Sequence, residues 1–102
     1  MKPLFDNIEA FVFDFDGVLT DNLVQVHENG SESVKCSRAD GLAFDVLRKL
    51  KKPVYILSTE KNPVVESRAK KLKVEAIYGV SNKVQSLKKL VDLKGYNLDN
   101  IV

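Results

Sequence analysis

With one cysteine, Cys36, in 102 residues, the chain has no internal disulfide available, and Cys36 and the lone His27 are too few for a zinc site. No apolar run approaches the ~20 residues of a membrane span, so an integral membrane protein is not expected. Met1 to Glu9 carry acids where a signal peptide needs an unbroken apolar core, which points to a cytoplasmic protein. An excess of one charge is also missing. The 16 basic and 14 acidic side chains leave a net +2, which argues against a nucleic-acid or polyanion binder; neither nucleic acid nor membrane is expected as a partner. Repeats, low-complexity tracts and linkers are absent. What is present is 44% apolar residues, enough for a single core in one domain over residues 1–102.

The apolar residues are ordered as alternating strands and helices. Ala10 to Phe15 is a run of β-formers with both faces apolar, as in a central parallel strand, and Asp16-Gly17 ends it. Residues 22–36 read as a hairpin turning at Glu28-Asn29-Gly30-Ser31. Asp40 to Lys51 reads as a helix with Leu42, Ala43, Val46, Leu47 and Leu50 inward. A second strand covers Pro53 to Ser58. Asn62-Pro63 starts a helix to about Lys73, with Val64, Val65, Ala69 and Leu72 inside. Val74 to Tyr78 is a third strand. Ser81 or Asn82 caps a last helix, striped by Val84, Leu87, Leu90, Val91 and Leu93 and stopped by Gly95. Asn100 to Val102 begins a fourth strand. This alternation predicts an α/β fold, a parallel sheet with flanking helices and a β-hairpin insertion after the first strand.

In such sheets functional groups gather beyond the carboxyl ends of the strands. The first strand delivers Asp14 and Asp16 there, the second delivers Ser58, and the loop after the third delivers Lys83. Two carboxylates two residues apart in extended chain share a face, so one can serve as nucleophile or metal ligand and the other as general acid and base. Gly17 permits a sharp turn that brings backbone N–H groups near an anion. The plainer alternative is that both aspartates cap the strand end. By themselves Ser58 reads equally as a strand-end cap and Lys83 as a solvated helix-start residue.

The segment Asp14-Phe15-Asp16-Gly17-Val18-Leu19-Thr20 resembles the first signature of the haloacid dehalogenase superfamily of phosphatases, and Ser58 and Lys83 match the second and third in order and context. Val18-Leu19-Thr20-Asp21, the hairpin, Val34-Lys35 and Ala39-Asp40-Gly41 narrow the resemblance to the cap-less 3-deoxy-D-manno-octulosonate-8-phosphate and acylneuraminate-9-phosphate phosphatases. The resemblance implies a Rossmann-like sheet and a Mg²⁺-dependent hydrolase of a 3-deoxy-2-keto sugar-acid phosphate, in lipopolysaccharide or sialic acid synthesis. It implies a homotetramer formed through the hairpin. Carried onto these residues, Asp14 attacks phosphorus, Asp16 is acid then base, and Ser58 and Gly17 bind phosphate. Lys83 balances charge, and Mg²⁺ rests on the Asp14 carboxylate and the Asp16 backbone carbonyl. Glu60, in place of a Gly-Arg pattern, together with Arg68 and Lys71, leans toward the acylneuraminate substrates. Lys35, Arg38 and Asp40 read as sugar-acid contacts or as surface pairs. Thr20 and Asp21 read as fixing the turn into the hairpin, His27 as interface or surface, and Cys36 as a packing residue.

The family's fourth signature, acidic metal ligands after the fourth strand, has no counterpart: Asp99 precedes that strand and Asp92 lies in the helix before it. The expectation is therefore the N-terminal part of a longer phosphatase, with C-terminal strands missing and little activity alone. Phe11, Val12, Phe13 and Phe15 are then expected near an exposed sheet edge. The alternative from another class is a non-catalytic phosphatase-like assembly module of an acylneuraminate cytidylyltransferase.

Overall fold

A computed structural model describes residues 7–102. The first six residues of the segment read against a signal peptide lie outside the described residues. The order of elements is β1 (Phe11–Phe13), a hairpin of β2 (Gln25–Val26) and β3 (Glu32–Ser33), α1 (Ala39–Lys49), β4 (Val54–Leu57), α2 (Val64–Leu72), β5 (Glu75–Ile77), α3 (Lys83–Lys94) and a 3-10 turn at Leu98–Asn100. The sheet runs β1-β4-β5, all parallel, with Phe13 beside Ile56 and Leu57 beside Ile77. On the other side of β1 the fourth strand begins: Ile101 bridges Ala10 in parallel, and the Val12 N–H donates to the Val102 carbonyl at 2.7 Å. No helix among the described residues is long and apolar enough to cross a membrane.

The sheet is covered on both faces. On one, Phe15, Leu19, Phe44, Ile56, Val65, Ala69 and Leu72 form the main core. On the other, Ala10, Tyr55 and Leu90 pack with Val12, Ile77, Tyr96 and Ile101. Local chemistry sets the element ends. Asn82 caps α3 by accepting the Gln85 N–H, and Gly95 stops it in the left-handed region at φ 73°. Asn62 caps α2 from two residues before its start, accepting the Val64 N–H at 3.0 Å, so the helix begins one residue later than Pro63 suggested. The hairpin strands are only two residues each and its tip lies in water.

Three sequence expectations change. Helix α1 turns Phe44 and Leu47 inward, and leaves Leu42, Val46 and Leu50 71%, 56% and 50% exposed. Apolar residues occupy most sides of this helix, so its pattern allows two inner faces. The bulkiest side chain decides: the Phe44 ring packs 5.2 Å from Phe13, and Arg48, on the same side, donates to the Leu72 carbonyl. On α3, Val84 and Leu93 lie outside the packed stripe, and Leu90 and Val91 carry the burial. Finally, Phe11, Val12 and Phe13 are half-buried, but Phe15 is fully buried, because it leaves the strand and drops into the α1–α2 core.

Tyr55 and Tyr96 share a hydrogen bond of 2.9 Å between hydroxyls on the α3 face of the sheet. Burial, then that bond, pushes the Tyr96 hydroxyl up to about 12. A phenol that holds its proton more tightly when folded stabilises the fold below the unfolded value of about 10, and this contribution is lost as pH rises through the folded value. Wild-type protein should therefore lose melting temperature between pH 10 and 12, and Tyr96→Phe should lose less across that window. Parallel curves would show that Tyr96 is not the group responsible.

Candidate active site

Beyond the carboxyl ends of β1 and β4 the chain assembles a charged cluster. Asp14 follows β1 directly, and its Oδ1 accepts the Phe15 N–H at 2.7 Å and the Lys83 ammonium at 2.8 Å. Lys83 is the first residue of α3, so the Asn82 cap and the Gly79 turn (φ 69°) that lead into the helix aim it back at the sheet. The fold thus joins residues from the two ends of the sequence into one ion pair.

Asp16 is half-buried two positions further along the same loop. Burial first, then the Glu60 and Asp14 carboxylates, raise its carboxyl above the ordinary range, with Lys83 opposing. An acid held in this way keeps its proton to higher pH, which suits a proton donor. Gly17 follows at φ 78°, a left-handed turn that favours glycine.

Ser58 follows β4 directly and is 1% exposed. Its Oγ accepts the Glu60 N–H at 3.0 Å, leaving the hydroxyl proton to donate. Glu60 is held by its own carboxylate, which accepts the Asn62 N–H at 2.9 Å, and by its carbonyl, which accepts the Gly79 N–H at 2.8 Å. Asp14, Asp16, Glu60 and Lys83 are therefore brought into electrostatic reach, with Ser58 tied in through Glu60.

Arg68 and Lys71 stand apart from this cluster. Arg68 donates from Nη2 to the Ser37 carbonyl at 2.7 Å, and its Nε is buried without a hydrogen-bond partner. It supports the hairpin exit, where burial raises the Cys36 thiol and Arg68 opposes the shift. Lys71 is exposed near the far end of α2, about 10 Å of helix beyond its start. His27 meets Ser33 on the exposed hairpin at 3.2 Å, and Asp21 accepts the Leu23 N–H at 3.0 Å. Lys35 and Arg38 lie exposed and Asp40 half-exposed. Thr20 fixes the turn into the hairpin as expected, its Oγ1 accepting the Asn22 N–H at 3.1 Å, and it also reaches back to the Asp16-Gly17 turn, accepting the Gly17 N–H at 3.2 Å. Its signal was position alone, a small polar residue closing an Asp-Gly loop.

Beside Asp14 and Lys83 lies a groove of about 260 Å³, otherwise lined by Val12, Phe13, Leu57, Val84 and Leu87. The carboxylates here are hard oxygen donors, the kind that suits Mg²⁺. Among the described residues no group of three or more His, Cys, Asp or Glu side chains is placed to hold a metal. Asp99 sits with Asn7, Ile8, Asn100 and Val102 before the fourth strand, and Asp92 lies exposed on α3. The donors fit the cation in kind.

No family model matches the chain. It is 29% identical over 97 residues to the 3-deoxy-D-manno-octulosonate 8-phosphate phosphatase KdsC of Escherichia coli K12, a match covering 94% of this chain and 52% of that protein. Among solved structures, a HAD family hydrolase from Streptomyces avermitilis superposes with a TM-score of 0.91 at 40% identity, over 95% of this chain and 56% of the other. The 3-deoxy-D-manno-octulosonate 8-phosphate phosphatase of Moraxella catarrhalis, solved with magnesium, phosphate and KDO, gives 0.89 at 26% identity, over 99% of this chain and 60% of the other. The chain spans about half the length of the curated relatives it matches.

Proposed function

We propose that this chain, whose homologues and structural neighbours are HAD-family hydrolases, carries the nucleophile, acid and phosphate-binding part of a phosphatase for 3-deoxy-2-keto sugar-acid phosphates. The substrate is octulosonate 8-phosphate or a nonulosonate 9-phosphate. The observation that carries this reading is the 2.8 Å pair between Lys83 and Asp14, beside a second aspartate whose carboxyl is raised.

The chemistry follows from that arrangement. Lys83 pairs with the Asp14 carboxylate and offsets the charge of an approaching phosphate, so one anion can attack another. Asp14 forms an aspartyl-phosphate, and the leaving sugar oxygen takes its proton from Asp16. Asp16, now ionised, draws a proton from water as that water attacks phosphorus and frees Asp14. Ser58 and the Gly17 turn bind phosphate oxygens. The Asp14 carboxylate and the Asp16 carbonyl would hold Mg²⁺, which would further neutralise the negative charge of nucleophile and phosphate. Glu60, beside Asp16, is the member of the proposed specificity set nearest the chemistry. Arg68 and Lys71 belong to that set on resemblance alone. The exposed hairpin residues Leu23, Val24 and Val26 supply the apolar surface for a homotetramer.

The test is a phosphate-release screen of the full-length protein across eight- and nine-carbon sugar-acid phosphates, with and without Mg²⁺, alongside sedimentation. Release with one of these esters, lost on chelation and restored by Mg²⁺, supports the reading, as does a four-subunit mass. Activity confined to other phosphate esters would overturn the substrate class, undiminished activity without metal the cofactor, and a monomer the assembly.

A further inference from the structure

The turn that carries Asp16 has little holding it. Phe15 and Leu19 are buried at its two ends, and the arc between them rises out of the core, with Asp16 half-buried and Gly17 and Val18 exposed. Within the arc the Val18 and Leu19 N–H groups both turn back to the Phe15 carbonyl, at 3.3 and 2.9 Å. The Gly17 N–H has another partner. It donates to Thr20 Oγ1 at 3.2 Å, and the same oxygen accepts the Asn22 N–H at 3.1 Å. Thr20 is itself fixed: it is 9% exposed, and its backbone bridges Cys36 in antiparallel fashion, closing the base of the hairpin. One hydroxyl thus ties three things together, namely the residue after Asp16, the first residue of the hairpin and, through the bridge, the strand that returns from it.

We propose that Thr20 is a positioning residue for the reaction, holding the Asp16 carboxyl at its working angle by clamping Gly17, and that through it the hairpin base sets the aim of the acid. This rests on the reading of Asp16 as proton donor. Without the hydroxyl the Gly17 and Asn22 N–H groups lose a common acceptor, and Gly17, in the left-handed region at φ 78°, is free to leave it. Lys83 and Ser58 are held by other elements and keep most of the grip on phosphate even as the Gly17 turn loosens, so the effect falls more on turnover than on binding. A small misplacement of a catalytic group costs up to roughly a hundredfold in rate.

In the full-length protein, Thr20→Val should lower kcat roughly tenfold to a hundredfold with KM within about threefold, and Thr20→Ser should restore kcat to within about threefold of wild type. Amide hydrogen exchange supplies a readout that needs no substrate: the Gly17 N–H of wild-type protein should be protected, and Thr20→Val should expose it. Unchanged kcat in Thr20→Val, a Thr20→Ser variant as slow as Thr20→Val, or an unprotected Gly17 N–H in wild type would each overturn the clamp. Wild-type protein that releases no phosphate while Gly17 is protected and responds to Thr20→Val would count against the phosphatase reading and leave the clamp standing as a structural fact.

Discussion

Asp14→Asn should abolish phosphate release by the full-length protein, with a loss of at least about 10³-fold in kcat. The amide is isosteric, and its oxygen can still accept the Phe15 N–H, so the loop has little reason to move. What it lacks is the negative charge that attacks phosphorus and that pairs with Lys83. That pair is 36% and 45% exposed, so its contribution to stability is under about 1 kcal/mol. The variant should therefore melt within a few degrees of wild type while being inactive. Phosphate release followed by malachite green, with melting measured on the same preparation, makes the comparison. Turnover undiminished in a folded variant would remove Asp14 as the nucleophile.

Asp16→Asn carries the second large effect, and its form identifies the role. With a sugar-acid phosphate the leaving oxygen is a poor anion and needs a proton, so turnover should fall by about 10²- to 10⁴-fold. With p-nitrophenyl phosphate the leaving group departs without one. The first step then survives, and hydrolysis of the phospho-enzyme, which needs Asp16 as base, becomes limiting. Stopped-flow absorbance should show a burst of nitrophenolate matching the enzyme concentration, followed by slow turnover. Equal losses with both esters and no burst would show that Asp16 is not the acid. The stability of this variant has a predictable sign as well. Burial, Glu60 and Asp14 raise the Asp16 carboxyl, so in wild type its contribution to the fold is present below the unfolded value of about 3.9 and is lost as pH rises through the folded one. Replacing it by the neutral amide should leave melting at pH 7 equal or higher, with the difference vanishing in acid.

Much of the scaffold was legible because it is local. Gly95 stops α3, Asn82 and Asn62 cap helices, and short apolar runs bounded by polar residues become β1, β4 and β5. Parallel alternation also places the strand ends together, which is why the sequence alone marks Asp14, Ser58 and Lys83 as a set. The inner face of α1 was not legible. Leu42, Val46 and Leu50 are spaced as well for burial as Phe44 and Leu47, and helical period alone weighs them equally.

The sequence by itself determined which chemical groups stand at the strand ends, and in what order. Propensity, caps and turn residues act within a few positions, and the strand–helix alternation then admits one handed winding. Only the tertiary structure decided which of those groups meet. Packing volume chose Phe44 over the leucines of α1. The path from β5 into α3 brought Lys83 onto Asp14, and the turn after β4 set Glu60 by Asp16 while the length of α2 carried Lys71 away. The Thr20 hydroxyl found the Gly17 amide because the buried Phe15 and Leu19 hold the two ends of one small loop. Such choices depend on how space is filled across the sheet, and no periodicity along the chain encodes that.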